Sequence, residues 1–251
     1  MAEHGDETAS LSRNANAQPG SGGRGSAQET LLVCGIVASL LYVAMMEVIR
    51  YDGYSATSQT VSELSAIGAP TRNLWFWLAW VYTALVLAFG WGVWKSAGRN
   101  RPLRVVGGLI LASSLLGFVW PFAPMHQREV LAAGGGTLSD TLHIALAFAT
   151  VPLFLLTIGF GAAAFGRRFR FYSIATMAIA FGFGALTGLD GPRIGVNLPT
   201  PYVGLWERIN IGVYMIWLVV LAVTLLRQRA TGTGAPVRAL RTGAAHRAVC
   251  Q

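Results

Sequence analysis

Thr141-Leu-His-Ile-Ala-Leu-Ala-Phe-Ala-Thr-Val-Pro-Leu-Phe-Leu-Leu-Thr-Ile-Gly-Phe-Gly-Ala-Ala-Ala-Phe165, followed at once by Gly166-Arg-Arg-Phe-Arg170, decides how this chain is read. The 25 residues from Thr141 to Phe165 hold no Asp, Glu, Lys or Arg. A helix of about 20 apolar residues crosses the hydrocarbon core of a bilayer. Arginines directly after such a run mark a turn that stays in the cytoplasm.

Five more runs of the same kind lie on either side: Leu31–Ile49, Leu74–Trp94, Leu103–Phe122, Phe169–Gly188 and Leu205–Leu226. None alternates with a period of two, so a β-barrel is not supported. The expected fold is all-α, a bundle of six transmembrane helices spanning 31–226. Flanking it are a disordered tail over 1–30 and a basic disordered tail over 227–251. The N-terminal segment has no apolar stretch and does not read as a signal peptide.

Charge sets the expected orientation. Arg13 and Arg24 precede the first run. Lys95, Arg99, Arg101 and Arg104 fall in the second connection, and Arg167, Arg168 and Arg170 in the fourth. Arg227, Arg229, Arg238, Arg241 and Arg247 follow the last run. These 14 cations share one side, against five on the other (Arg50, Arg72, Arg128, Arg193, Arg208). Cytoplasmic N and C termini follow, in a multi-pass protein of the cell membrane. Beyond the N-terminal tail, all seven acids (Glu47, Asp52, Glu63, Glu129, Asp140, Asp190, Glu207) fall on the extracytoplasmic side.

Composition agrees. The chain is 53% hydrophobic and 12% charged, where a soluble domain carries about 25% charged residues. The net charge of +8 belongs to membrane-facing turns, and nucleic acid is not expected as a partner. The partners expected are the lipid bilayer and a lipid or small amphiphilic ligand; the sequence leaves the oligomeric state open. Cys34 and Cys250 are the two cysteines, with no CxxC, so neither a structural disulfide nor a structural zinc site is expected. Ala178 with Gly182, and Gly184 with Gly188, have helix-packing spacing. They predict a central fifth span.

Candidate functional residues collect in the extracytoplasmic loops. Thr60-Val-Ser-Glu63 matches a capping box, with Val61, Leu64 and Ile67 on one face, and predicts a short interfacial helix ended by Gly68 and Pro70. Ser62 or Glu63 reaching into a site is the sharper alternative. Ser139 or Asp140 is the expected N-cap of the fourth span, which puts His143 one turn from Asp140. His126, Asp140 and His143, with Glu63, are the candidate catalytic set. His126, Asp140 and His143 are the candidate ligands of a divalent metal such as zinc, which accepts imidazole and carboxylate. A capped helix with an oriented His143 is the plainer reading of the same residues. Thr200-Pro201 reads as a helix start. Glu207 and Arg208 then lie at membrane depth, where ionisable groups seek partners on other elements. Arg208 with Asp140 or Glu63, and Glu207 with Arg128 or Arg193, are the expected pairs. Arg128, Arg193, Glu207 and Arg208 are the candidate ligand-binding residues, arginine being suited to a lipid phosphate or carboxylate.

The runs Ser-Gln-Thr-Val-Ser-Glu-Leu-Ser-Ala-Ile-Gly-Ala-Pro (58–70), Ser-Asp-Thr-Leu-His (139–143) and Trp-Glu-Arg-Ile (206–209) resemble the family called domain of unknown function 998. The resemblance covers about residues 31–226 and implies a bacterial multispanning membrane protein without an assigned activity. A looser similarity to zinc-dependent membrane hydrolases such as alkaline ceramidases departs at the histidines, since no His-x-x-x-His occurs. Three function classes follow: binding of a lipid or small amphiphile at the extracytoplasmic face, a metal-assisted hydrolase or transferase at that face, and transport of a small solute.

Overall fold

The computed structural model describes residues 21–233. Its long helices are α1 (Ser21–Val48), α2 (Arg72–Ser96), α3 (Arg101–Gly117), α5 (Leu138–Ala164), α6 (Arg167–Gly195) and α7 (Val203–Thr233). A short α4 (Arg128–Ala132) and two 3-10 turns (Val61–Ser65, Trp120–Phe122) lie in the connections. Six of these stretches are long and apolar enough to cross a membrane. The protein is therefore a multi-pass, all-helical membrane protein. Residues 1–20 and 234–251, most of both expected tails, lie outside the described residues, and Cys250 with them.

The six long helices close a ring in chain order. Each packs on its neighbours, α3 against α5, and α7 returns to α1. The short connections allow this, because antiparallel neighbours need little chain between them. Leu103–Phe122 proves to be two pieces, α3 and the 3-10 turn at Trp120-Pro121-Phe122. The fifth run continues past Gly188 to Gly195, through Pro192, so Asp190 and Arg193 are helical. At the other end, α1 begins at Ser21, ten residues before the apolar run. Gln28 Nε2 there donates to Ser96 Oγ at 2.9 Å.

The main core joins α1, α2, α3, α5 and α7 around Phe89, Ile110, Ile158, Trp217 and Leu221. A second cluster joins Met45, Met46 and Trp75 to Val61 and Leu64. It seats the Val61–Ser65 turn on the bundle end that carries the acids. Here the structure corrects the expectation of a central fifth span. The α7 span is 39% buried and the α6 span 17%. Small residues bring helices together only where a partner backbone meets them. Gly107 does this: a side-chain carbon there would lie 2.7 Å from the Trp94 backbone nitrogen. At Gly182 and Gly188 it would meet nothing within 4 Å.

At the arginine-rich end, Asn100 couples two turns. Its Oδ1 accepts from Leu103 N at 3.1 Å, capping α3. Its Nδ2 donates to Ala164 O at 2.8 Å, holding the α5–α6 turn.

Candidate functional site

The Val61–Ser65 turn forms where the capping box is expected, but as a buried 3-10 turn rather than a helix lying at the interface. Thr60 N donates to Glu63 Oε2 at 2.6 Å, and the Thr60 hydroxyl donates to the same oxygen at 3.0 Å. Glu63 is 2% exposed. Arg128, at the start of α4, meets it with two parallel bonds, Nε to Oε1 and Nη2 to Oε2 at 2.8 Å. That two-pronged geometry is the strong form of a carboxylate–guanidinium contact. Arg128 also donates to Thr200 Oγ1 at 2.8 Å and Ser58 O at 2.8 Å. Thr200 Oγ1 donates in turn to Ser58 O at 2.9 Å. The hydrogen bond to Glu63 raises the Arg128 pKa above its ordinary value against the desolvation of burial. The pair ties three connections together.

Arg208, on the first turns of α7, threads the opposite side of the same loop. It donates to Ala56 O at 2.8 Å and Gln59 O at 3.3 Å, to Met46 O at 3.3 Å on α1, and to Tyr54 Oη at 2.8 Å. Its Nε lies 3.2 Å from Glu47 Oε1. Burial pushes the Tyr54 hydroxyl up to about 12, with Arg208 pulling the other way. It stays protonated and donates to Thr60 O at 2.8 Å. Next to Arg208, Glu207 accepts from Val61 N. Gly204, one turn earlier, is needed because the carbonyl oxygens of Ala56 and Gln59 occupy the space a side chain would take.

The third group surrounds α5. Its N-cap is Thr137, with Asp140 as the third residue of a capping box. Asp140 accepts from Thr137 N at 2.8 Å. It also holds His126, through the backbone N at 2.7 Å and Nδ1 at 2.9 Å. His143 turns elsewhere. Its Nδ1 lies 2.8 Å from Ala123 O, and its Nε2 lies 3.1 Å from Ser62 Oγ. The Trp120 ring packs edge-on against it at 4.8 Å between centroids.

The model of the family described as "Protein of unknown function (DUF998)" matches residues 33–224. The chain belongs to this family. No curated protein and no solved structure matches it.

In this DUF998 protein the expected ion pairs do not form as drawn from sequence. Arg208 meets Glu47 rather than Asp140 or Glu63, and Arg128 meets Glu63 rather than Glu207. Arg193 lies 3.9 Å from Asp190 on its own helix and is half exposed. The expected zinc ligands do not converge either. Asp140 caps α5 and holds His126 while His143 faces Ser62, and among the described residues no three of His, Cys, Asp and Glu gather as a metal set. Sequence reasoning missed Ser58, Tyr54 and Glu47. Ser58 acts through its carbonyl, which no side-chain pattern reports.

One opening remains. Gly184, Gly188, Gly191 and Gly195 recur on one face of α6. A side-chain carbon on Gly184 would lie 2.9 Å from Asn210 Nδ2 of α7, so the helices touch there. At Gly188, Gly191 and Gly195 it would meet nothing within 4 Å. Beyond Asn210 the α6 side of the α6–α7 seam is therefore open at these three glycines, and Gly184 to Gly195 spans 11 residues of helix or about 16 Å at 1.5 Å per residue. Asn210 makes no side-chain hydrogen bond among the described residues.

Breaking the buried pair tests its weight. Glu63→Gln leaves the Arg128 guanidinium without a counter-charge and is expected to cost about 3–5 kcal/mol, seen as a lower Tm in detergent. Arg193→Ala, at a half-exposed pair, is expected to cost under about 1 kcal/mol. Equal effects would refute the assignment.

Proposed function

We propose that this DUF998 protein sits in the cell membrane with its arginine-rich end and both termini in the cytoplasm, and binds a lipid or small amphiphile at the opposite face. The asymmetry of Lys and Arg between the two ends supports the orientation. The outward-opening α6–α7 seam carries the binding reading. Its depth of about 16 Å is close to half of a hydrocarbon core of about 30 Å, the depth of one leaflet. Glycines on α6 leave room for an acyl chain, and Asn210 supplies a polar group at the narrow end. Glu207, one turn further out on α7, is held by the Val61 N–H and is not part of this reading. Arg128 and Arg208, candidate phosphate holders by sequence, spend their donors on the loops and are not part of this reading.

Two outcomes follow. In a background of Cys34→Ser and Cys250→Ser, a membrane-impermeant maleimide added to intact cells labels Asp52→Cys and spares Gly98→Cys; the reverse pattern overturns the orientation. A photo-crosslinkable fatty acid labels the wild type, and Gly188→Trp, which fills the seam, lowers labelling several-fold. Gly159→Trp, on α5, leaves it unchanged. Equal labelling of the two variants refutes the seam.

A second reading, acyl transfer, is supported by the contact between Ser62 and His143. The Ala123 carbonyl only accepts, so the neutral imidazole carries its proton on Nδ1 and presents a lone pair at Nε2 to the Ser62 hydroxyl. That is the arrangement in which imidazole takes the serine proton as oxygen attacks an ester carbonyl. It needs no metal. A fluorophosphonate probe labels Ser62 if the serine is activated, and Ser62→Ala and His143→Ala abolish labelling. A wild type that stays unlabelled removes this reading.

A further inference from the structure

In the arginine-rich half of the bundle α5 and α7 touch. Thr157, Ile158, Gly161 and Ala162 of α5 are buried there. A side-chain carbon on Gly161 would run into the Trp217 ring of α7. Nearer the acid-rich end, Phe154 stacks on Tyr214 with ring centroids 4.2 Å apart.

Beyond that stack the packing changes. The α5 face that is buried at Gly161 and Thr157 continues through Phe154, Thr150, Ala147 and His143, at spacings of three and four. None of these four is buried, and neither is any other residue of α5 from Leu138 to Leu156. The matching face of α7 runs from buried Tyr214 through Ile211 to Glu207, and these two also keep accessible surface. Inward helix faces that stay accessible border a cleft. Its floor is the Phe154–Tyr214 stack. Its other end is His143, whose Nε2 lies 3.1 Å from Ser62 Oγ.

Between His143 and the floor, the α5 side is apolar. Ala147 offers a methyl group. Thr150 donates its hydroxyl to Ala147 O at 2.8 Å, so that group is satisfied within the helix. Phe154 supplies a ring, and Ile211 adds an aliphatic side chain from α7. From His143 to Phe154 is 11 residues of helix, or about 16 Å at 1.5 Å per residue. The stretch belongs to a span, Leu138–Ala164, and His143 sits in its first two turns. The dyad is therefore close to the headgroup boundary, and the cleft runs from it toward the hydrocarbon layer.

We infer that the cleft takes the chain of a fatty acyl ester and delivers its carbonyl to Ser62, with Ala147, Thr150 and Phe154 setting the chain length. This rests on the acyl-transfer reading above and names its substrate class. The Ser62 oxygen bonds to the carbonyl carbon as its proton passes to His143 Nε2. The bond from that carbon to the ester oxygen breaks, and the departing alcohol takes the proton. Water then adds to the acyl-serine carbonyl and gives a proton to Nε2. The fatty acid leaves as Ser62 regains its hydrogen.

The test labels the purified full chain, in a neutral detergent, with butyl, dodecyl and hexadecyl fluorophosphonates. Mass spectrometry reads the rate of Ser62 modification. Dodecyl labels several-fold faster than butyl. In Thr150→Trp, which fills the cleft midway, that ratio falls toward one. Ala147→Leu lowers it as well and covers the case in which Thr150→Trp fails to fold. In Phe154→Ala, which opens the floor, hexadecyl gains on dodecyl. Phe148→Ala, on the outward face of α5, keeps the wild-type ratio. A long-chain preference that comes from the micelle alone persists in Thr150→Trp and Ala147→Leu. That result overturns the inference, as does a butyl probe as fast as dodecyl in the wild type; acyl transfer at Ser62 survives both. No labelling by any probe overturns the acyl-transfer reading and this inference with it.

Discussion

Glu63 and Arg128 hold each other in a place where neither charge is stable alone. Both are almost wholly buried. Removing two ions from water costs several kcal/mol each, and only close, doubled hydrogen bonds with further donors and acceptors around them offset it. Here the surrounding groups come from Thr60, Ser58 and Thr200. The first loop, α4 and the α6–α7 connection consequently share one set of bonds. Loosening any of the three exposes a charge to a medium that cannot solvate it.

That constraint shapes what the acid-rich end offers a ligand. Arg208 works from the other side of the same loop, on the carbonyls of Ala56, Gln59 and Met46. With both arginines committed, this end is a cap over the ring rather than a charged vestibule. What stays open lies beside the cap, along the glycine face of α6. That opening suits a chain entering from the bilayer, whereas the contact of Ser62 with His143 suits chemistry on a polar bond.

The two ends of the bundle are electrostatic opposites by different means. At the acid-rich end Glu47, Glu63, Asp140 and Glu207 find internal partners, which spends most of the negative charge of the cap inside the fold. At the other end the arginines around the α5–α6 turn face a void instead of acids. Neutralisation inside the fold and attraction from outside it are thus segregated along the membrane normal.

The apolar run lengths, with arginines between them, were enough to write down six spans, because the bilayer imposes one length on every helix and leaves backbone groups no other way to be satisfied. Thr60-Val-Ser-Glu63 also announced its turn, since a cap is made of residues three apart. What could not be read locally was who meets whom. Glu63 with Arg128 is a contact across 65 positions, Ser62 with His143 across 81, and Arg208 with Met46 across 162. The glycines of α6 predicted tight packing by their spacing, and in the closed ring Gly182 and Gly188 have nothing within 4 Å of the place a side-chain carbon would take. Spacing along a helix reports which residues share a face; what that face meets is set by how the other five helices pack, and no stretch of chain encodes it alone.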